Sequence, residues 1–282
     1  MAVYIPPVVY TYKYPQVQNE HMMKVVEKYH PVLDENYTYR DKSFGWRFRH
    51  FWLNVFLNTI VLPVVVIRYA VKVEGRENLR QNRNLLKNGF VTVSNHVIEW
   101  DFLAILHAFF PHKAYFPIWS RNMETSMAPL FKTIGGIPVP TSVHAGRKFK
   151  AAMDSVLQDK KWLHVFAEGS MWYFYPAIRQ FRRGAAYFAI KNNAPLIPVA
   201  VSYRPPKGIY KFFKKYPNLT VHIGSPLYAD SSLNPREAER DLTDRARLSV
   251  IQMMGISNDE ENQRIMESIK ASEISSCFSE QK

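Results

Sequence analysis

Val91-Thr92-Val93-Ser94-Asn95-His96-Val97-Ile98-Glu99-Trp100-Asp101-Phe102-Leu103-Ala104-Ile105-Leu106 passes from an apolar strand straight into an apolar helix. Val91 to Val93 read as the end of a buried strand, and Phe102 to Leu106 as the first turns of a helix. An imidazole and a carboxylate, His96 and Asp101, stand at the junction. On a regular helix a five-residue step rotates by about 140°, so these side chains would point apart. They meet only if His96 sits in the strand-to-helix turn and Asp101 near the helix start. A carboxylate that holds one imidazole nitrogen leaves the other as a general base for an alcohol. The spacing alone leaves a plainer reading open, with Asp101 an N-cap and His96 a satisfied turn histidine.

Outward from this stretch the same alternation repeats, which argues for an α/β domain. Strands are expected at 71–74, 90–94, 114–118, 136–139, 162–167, 195–203 and 219–223, and helices at 101–110, 122–133, 144–158, 182–192 and 235–254. The expected fold is a single catalytic domain over 71–257 with a mixed central sheet flanked by helices. Trp162-Leu163-His164-Val165-Phe166 feeds the turn Glu168-Gly169-Ser170, which places that turn at a strand's carboxyl end, the usual ligand position in open α/β sheets. Residues 1–43 read as a polar arm that rests on the domain, with a brief helix from Met22 to Tyr29 ended by Pro31. Residues 258–282 read as a polar tail, a helix fraying into a loose end.

Between Phe51 and Ile67 there is no charge, only Asn54, Asn58 and Thr59 among Phe, Trp, Leu, Val and Ile. This stretch is near the lower limit for a span, and Pro63 interrupts it. Arg47 and Arg49 before it and Arg68, Lys72 and Arg76 after it give no topological bias. Residues 44–70 therefore read as a pair of short helices, hinged near Pro63 and buried in one leaflet; a core helix and a true span are the alternatives.

A formal net charge of +13 calls for an acidic partner. Aromatic residues make up 14% of the chain and crowd the apolar stretch beside Arg47 and Arg49, which favours an anionic membrane surface. No nucleic-acid-binding pattern is visible. A hydrophobic content of 47% excludes general disorder. The single cysteine, Cys277, excludes an intramolecular disulfide and fits a reducing compartment. The nine histidines show no paired ligand spacing, so no metal is expected.

Four ordered blocks, with the strand and turn Val73-Glu74-Gly75-Arg76-Glu77-Asn78-Leu79 ahead of them, carry a resemblance. They are His96 with Asp101, then Gly135-Gly136-Ile137-Pro138-Val139, Phe166-Ala167-Glu168-Gly169-Ser170 and Pro195-Leu196-Ile197-Pro198-Val199. From about Val71 to about Leu227 the chain resembles the glycerolipid acyltransferase family, typified by 1-acylglycerol-3-phosphate acyltransferase. The resemblance implies a membrane-associated enzyme on the cytoplasmic face. It would move a fatty acyl group from a coenzyme A or acyl carrier protein thioester to the hydroxyl of a lysophospholipid, with no cofactor beyond that co-substrate. His96 would take the hydroxyl proton, with Asp101 holding it, and Glu168, Gly169 and Ser170 would form the acceptor turn.

Two positions depart from the family pattern. Thr141 and Met171 stand where arginines are usual, which puts a phosphate-bearing acceptor in doubt. Arg121, Arg147, Lys148 and the group Arg179, Arg182 and Arg183 are the substitutes, with Arg179 the first choice for the phosphate. A different acceptor, a non-catalytic basic scaffold on a membrane, and a hydrolase using Ser94 or Ser170 remain as alternatives. The chain lacks the Gly-x-Ser-x-Gly elbow the last would need.

Overall fold

A computed structural model describes residues 3–279. Seven strands form one mixed sheet in the order β1-β7-β6-β2-β5-β3-β4. They are β1 (Lys72–Glu74), β2 (Phe90–Ser94), β3 (Ala114–Ile118), β4 (Gly136–Pro138), β5 (Trp162–Phe166), β6 (Leu196–Arg204) and β7 (Asn218–Ile223). Every neighbouring pair is parallel except β6 and β7. All five residues of β2 are buried, as are eight of nine in β6, because central parallel strands are covered on both faces and admit only apolar or hydrogen-bonded side chains.

The helices are α1 (Phe44–Phe56), α2 (Leu62–Tyr69), α3 (Arg76–Gln81), α4 (Arg83–Leu86), α5 (Asp101–Ala108), α6 (Ala128–Thr133), α7 (Val143–Gln158), α8 (Gly184–Lys191), α9 (Tyr210–Phe213), α10 (Pro235–Met253) and α11 (Asp259–Ser279). After β2 the chain crosses through α5 to β3. It returns through α7 to β5, which inserts beside β2, and then passes through α8 to β6 on the other side of β2. Strand β2 thus sits where successive connections diverge, and the region beyond the carboxyl ends of β2 and β5 is the position at which open α/β sheets bind ligands. The registered pair Ser94–Phe166 ends the ladder, and Ala167 N donates to Ser94 O at 3.0 Å just beyond it.

The apolar stretch differs from the expected hinged pair. Phe44–Tyr69 is one helix of 26 residues, long and apolar enough to cross a membrane. Leu57–Val61 forms a π-turn, in which Leu62 N donates to Leu57 O five residues back. Pro63 has no N–H to give, and the wider turn just ahead of it takes up the mismatch without a break. One face of this helix, including Trp46, His50, Asn54, Leu62, Val65 and Tyr69, is buried in the domain. The opposite face exposes Phe44, Phe48, Phe51, Phe56, Ile60, Val64 and Ile67.

One further expectation is corrected, and the carboxyl-terminal helix, expected as a helix, is in addition held by the core. Residues Met22 to Tyr29 are not helical: Lys28 N and Tyr29 N donate to Glu124 O at 2.6 and 2.9 Å, so tertiary pairing holds them out of a helix. The carboxyl-terminal segment is a helix joined to the core. Asn262 is fully buried, accepts from Ile178 N at 2.8 Å and donates to Ile178 O at 2.8 Å.

Candidate active site

The turn after β2 is fixed by its own side chains. Asn95 is buried, accepts from Val201 N at 2.9 Å and donates to Val201 O at 3.0 Å, extending the β6 edge. His96 then leaves the strand, and its backbone N–H donates to Glu168 Oε2 at 3.1 Å. Its ring stacks on Phe166 with centroids 3.9 Å apart and planes inclined by 19°.

Asp101 opens α5 and is completely buried. Its Oδ2 accepts from His96 Nδ1 at 2.8 Å, Val97 N at 2.7 Å and Ile98 N at 3.3 Å. The acid therefore reaches back over the turn and folds it, whereas an N-cap would take the helix's own free amides. A carboxylate only accepts, so Nδ1 carries a proton and Nε2 is the nitrogen left to face a substrate. The imidazole keeps 21% of its side chain exposed while the acid keeps none, so the base is open to a substrate and its partner is not.

The turn after β5 converges on Arg179. Arg179 Nη2 bonds Glu168 Oε2 at 2.9 Å and Ser170 O at 2.6 Å, and Nη1 bonds Ser170 Oγ at 2.6 Å and Gln18 O at 3.2 Å. Its backbone N–H donates to Glu168 Oε1 at 2.9 Å. Only 2% of Arg179 is exposed, and its guanidinium lies 4.2 Å from the Trp172 ring. The structure thus brings His96, Asp101, Glu168, Ser170 and Arg179 together, but with Glu168 and Arg179 braced beneath the turn. Gly169 has φ +78°, and a Cβ there would strike the Arg182 guanidinium. Arg182 is exposed, crosses this turn and bonds Asn19; Arg183 is also exposed, at the start of α8. Arg247 holds the Arg179 and Ile178 carbonyls, both at 3.1 Å, and pairs with Asp259 at 2.8 Å.

Sequence reasoning missed the strap that the amino-terminal arm lays along this turn. Ser170 Oγ donates to Gln18 O at 2.5 Å, Trp172 Nε1 to Glu20 O at 2.9 Å, and Gln18 Nε2 to Gln180 O at 2.6 Å. His21 stacks on Trp119 at 4.1 Å and 10°. Burial, then the neighbouring His96, Arg179 and Arg182, push the His21 imidazole down to about 4, so it is neutral near pH 7. His164 was missed as well. It lies under Phe166, bonded to Thr92 Oγ1 at 2.7 Å, and burial followed by the neighbouring His96 pushes it down to about 3. The strap had no signal to find, because its decisive acceptors are backbone carbonyls that any residue supplies. His164 had one, a polar residue in the middle of an apolar strand.

An open imidazole, oriented by a buried carboxylate at the ligand end of a parallel sheet, can take a proton from a hydroxyl. Residues 70–202 match the sequence model of the Acyltransferase family. This segment is similar to acyltransferase domains. Comparison with curated proteins finds no match. Among solved structures, one similar chain is PlsC, the 1-acyl-sn-glycerophosphate (LPA) acyltransferase from Thermotoga maritima. It has 18% identity over 73% of this chain and 82% of that one, with a TM-score of 0.45, a likeness too distant to argue from. The matched segment contains β1 to β5 and most of β6, and with them His96, Asp101, Glu168 and Arg179. The strap lies outside the matched segment, as do Arg247 and Asn262, which buttress the turn. Among the described residues no group of three or more His, Cys, Asp or Glu side chains is placed to hold a metal ion.

Proposed function

We propose that this protein transfers a fatty acyl group from a thioester to the free hydroxyl of a lysophospholipid, 1-acylglycerol-3-phosphate first among them, at a membrane surface. The observation that carries the reading is the 2.8 Å bond from His96 Nδ1 to a fully buried Asp101, with the imidazole itself still open. Nε2 removes the acceptor's proton as its oxygen attacks the thioester carbon. Asp101 stabilises the imidazolium that forms, and collapse of the tetrahedral intermediate expels the thiolate, which takes the proton. No acyl-enzyme is required. Ser170 is buried with its hydroxyl bonded to Gln18 O and Arg179, which disfavours a serine nucleophile there.

We assign Arg179 the task of bracing Glu168 and Ser170, because its terminal nitrogens are fully occupied and it is buried. An acceptor phosphate then falls to Arg182, exposed across Gly169, with Arg183 beside it. The exposed apolar face of the Phe44–Tyr69 helix would rest in the outer layer of a bilayer, on the side that holds coenzyme A or carrier-protein thioesters.

The test is thiol release from an acyl thioester with lysophosphatidic acid, a zwitterionic lysolipid and a neutral monoacylglycerol compared in parallel. The parent protein is expected to favour the phosphorylated acceptor, and Arg182→Gln to raise KM for that acceptor alone. Equal use of the neutral acceptor by the parent removes the phosphate assignment. Unchanged release by His96→Ala removes the catalytic one.

A further inference from the structure

At the sheet end away from His96, beside the first turns of α1, lies an open groove of about 1040 Å³. Phe90 and Trp162 begin β2 and β5, and Lys113 immediately precedes β3, so the groove sits at the amino ends of the parallel strands. His96 and Glu168 follow the carboxyl ends of those same strands. The groove belongs to none of the chemistry described above.

Its charge is mostly positive, six cations against Asp41 and Asp159. Asp159 is engaged by Arg40 at 2.7 Å and Lys42 at 2.8 Å. Arg47, Lys113, Lys160 and Lys161 also line the groove, and none of the four has a carboxylate partner among the described residues. Lys113 is exposed with its ammonium 5.3 Å from the Phe51 ring, and partial desolvation, then the neighbouring Lys161, lower its pKa. Two cations that repel one another in a partly desolvated cleft are relieved by an anion between them. Lys160 is fixed in place by the end of α7. It adopts φ +56°, the left-handed position usually given to glycine, with Lys160 N bonded to Leu157 O at 2.9 Å and Lys161 N to Val156 O at 3.0 Å.

The same groove is continuous with the apolar face of α1. Phe44, Phe48 and Phe51 line it and also project outward, Phe44 with 83% of its surface exposed. Cationic and aromatic walls side by side match an amphiphile with an anionic head, and the volume exceeds what a free phosphate fills. A lipid in the layer on which α1 rests meets both walls at once.

We propose that this groove binds the phosphate headgroup of an anionic glycerophospholipid of the host bilayer, between Lys113, Lys161, Lys160 and Arg47, with the upper acyl chains against Phe48 and Phe51. It would fix the end of the helix remote from the active site. The helix is ~39 Å long at 1.5 Å per residue, so contacts at its two ends set the tilt of the catalytic site to the surface. The inference rests on the membrane part of the proposed function, and the test separates the two.

The full-length protein is floated with vesicles of phosphatidylcholine alone and with vesicles containing one fifth phosphatidylglycerol. Lys113→Gln/Lys161→Gln is compared with Arg68→Gln/Lys72→Gln, an equal charge loss at the other end of the helix. The groove pair is expected to lower affinity for the anionic vesicles about tenfold or more, the control pair no more than about threefold, with binding to neutral vesicles unchanged in both. Inorganic phosphate at millimolar level should not displace the protein; if it does so through Lys113 and Lys161, the ligand is free phosphate and the lipid assignment is overturned. Equal losses from both pairs mean diffuse attraction and overturn the groove, as does no loss from either. Failure to bind neutral vesicles while groove-dependent binding to anionic ones persists supports the headgroup site and counts against apolar insertion. Circular dichroism and thiol release with detergent-dispersed acceptor should be unchanged in Lys113→Gln/Lys161→Gln, which separates lost binding from lost fold.

Discussion

A single buried oxygen, Asp101 Oδ2, gathers the His96 ring and two turn amides, and so makes the geometry of the turn and the protonation of the base one problem. Asp101→Asn keeps the shape but can present its amide nitrogen to the ring and cannot balance an imidazolium. Thiol release is expected to fall by roughly 10²- to 10⁴-fold with little change in unfolding midpoint. A large loss of stability with proportionate activity would assign Asp101 to folding alone. His164 carries a different residue-scale consequence. Its folded form is held neutral down to about pH 3, whereas an unfolded histidine takes a proton near 6.5. Below pH 6.5 the unfolded chain binds the extra proton first, so this histidine's stabilising contribution, full above 6.5, declines progressively toward pH 3. Urea unfolding at pH 7 and pH 5 should therefore show a smaller acid-induced drop in His164→Phe than in the parent. An identical drop would place the sensitivity in other buried histidines, such as His50 and His222, which burial also lowers.

Among the elements, the turn after β5 is a small polar core closed by Arg179. Arg179→Met leaves Glu168 as an uncompensated buried charge, for which a loss of about 3–5 kcal/mol is expected in denaturant unfolding. A variant of parental stability with a raised KM for the phosphorylated acceptor would instead make Arg179 a ligand. The central strands were legible because buried parallel strands are continuous apolar runs, and β2 and β5 show this with turns at both ends. The pair His96 and Asp101 was legible as residues, and their meeting as a condition on the turn. The role of Arg179 was not, since proximity in sequence to Glu168-Gly169-Ser170 says nothing of which side of the turn a guanidinium occupies. Local pattern also failed for Met22 to Tyr29, where amides paired to Glu124 O override helix propensity, and for Asn262, whose burial depends on a loop over eighty residues earlier.

Across the whole molecule, the helix from Phe44 to Tyr69 serves as wall and platform at once. Trp46 donates to Lys132 O at 3.2 Å and His50 bonds Thr133 O at 2.6 Å, so deleting residues 1–70 should unfold the domain rather than free it from a membrane. The cleaner variant is Phe48→Ser/Ile60→Ser/Ile67→Ser on the outward face. It is expected to keep its melting temperature within a few degrees while moving from the membrane pellet to the supernatant. Retention in the pellet would oppose the platform role. The π-turn at Leu57–Val61 explains how one helix keeps two faces over its whole length. At ~100° per residue, an unbroken α-helix would swing Leu62, Val65 and Tyr69 about a quarter-turn away from the line of Trp46, His50 and Asn54. The supernumerary residue cancels that swing. A chain shorter by one amino acid within Leu57–Val61 should therefore fold with ordinary winding and an unaltered exterior, whereas the same excision between Arg47 and Leu53 would turn aromatic groups inward and tear the platform from its seat.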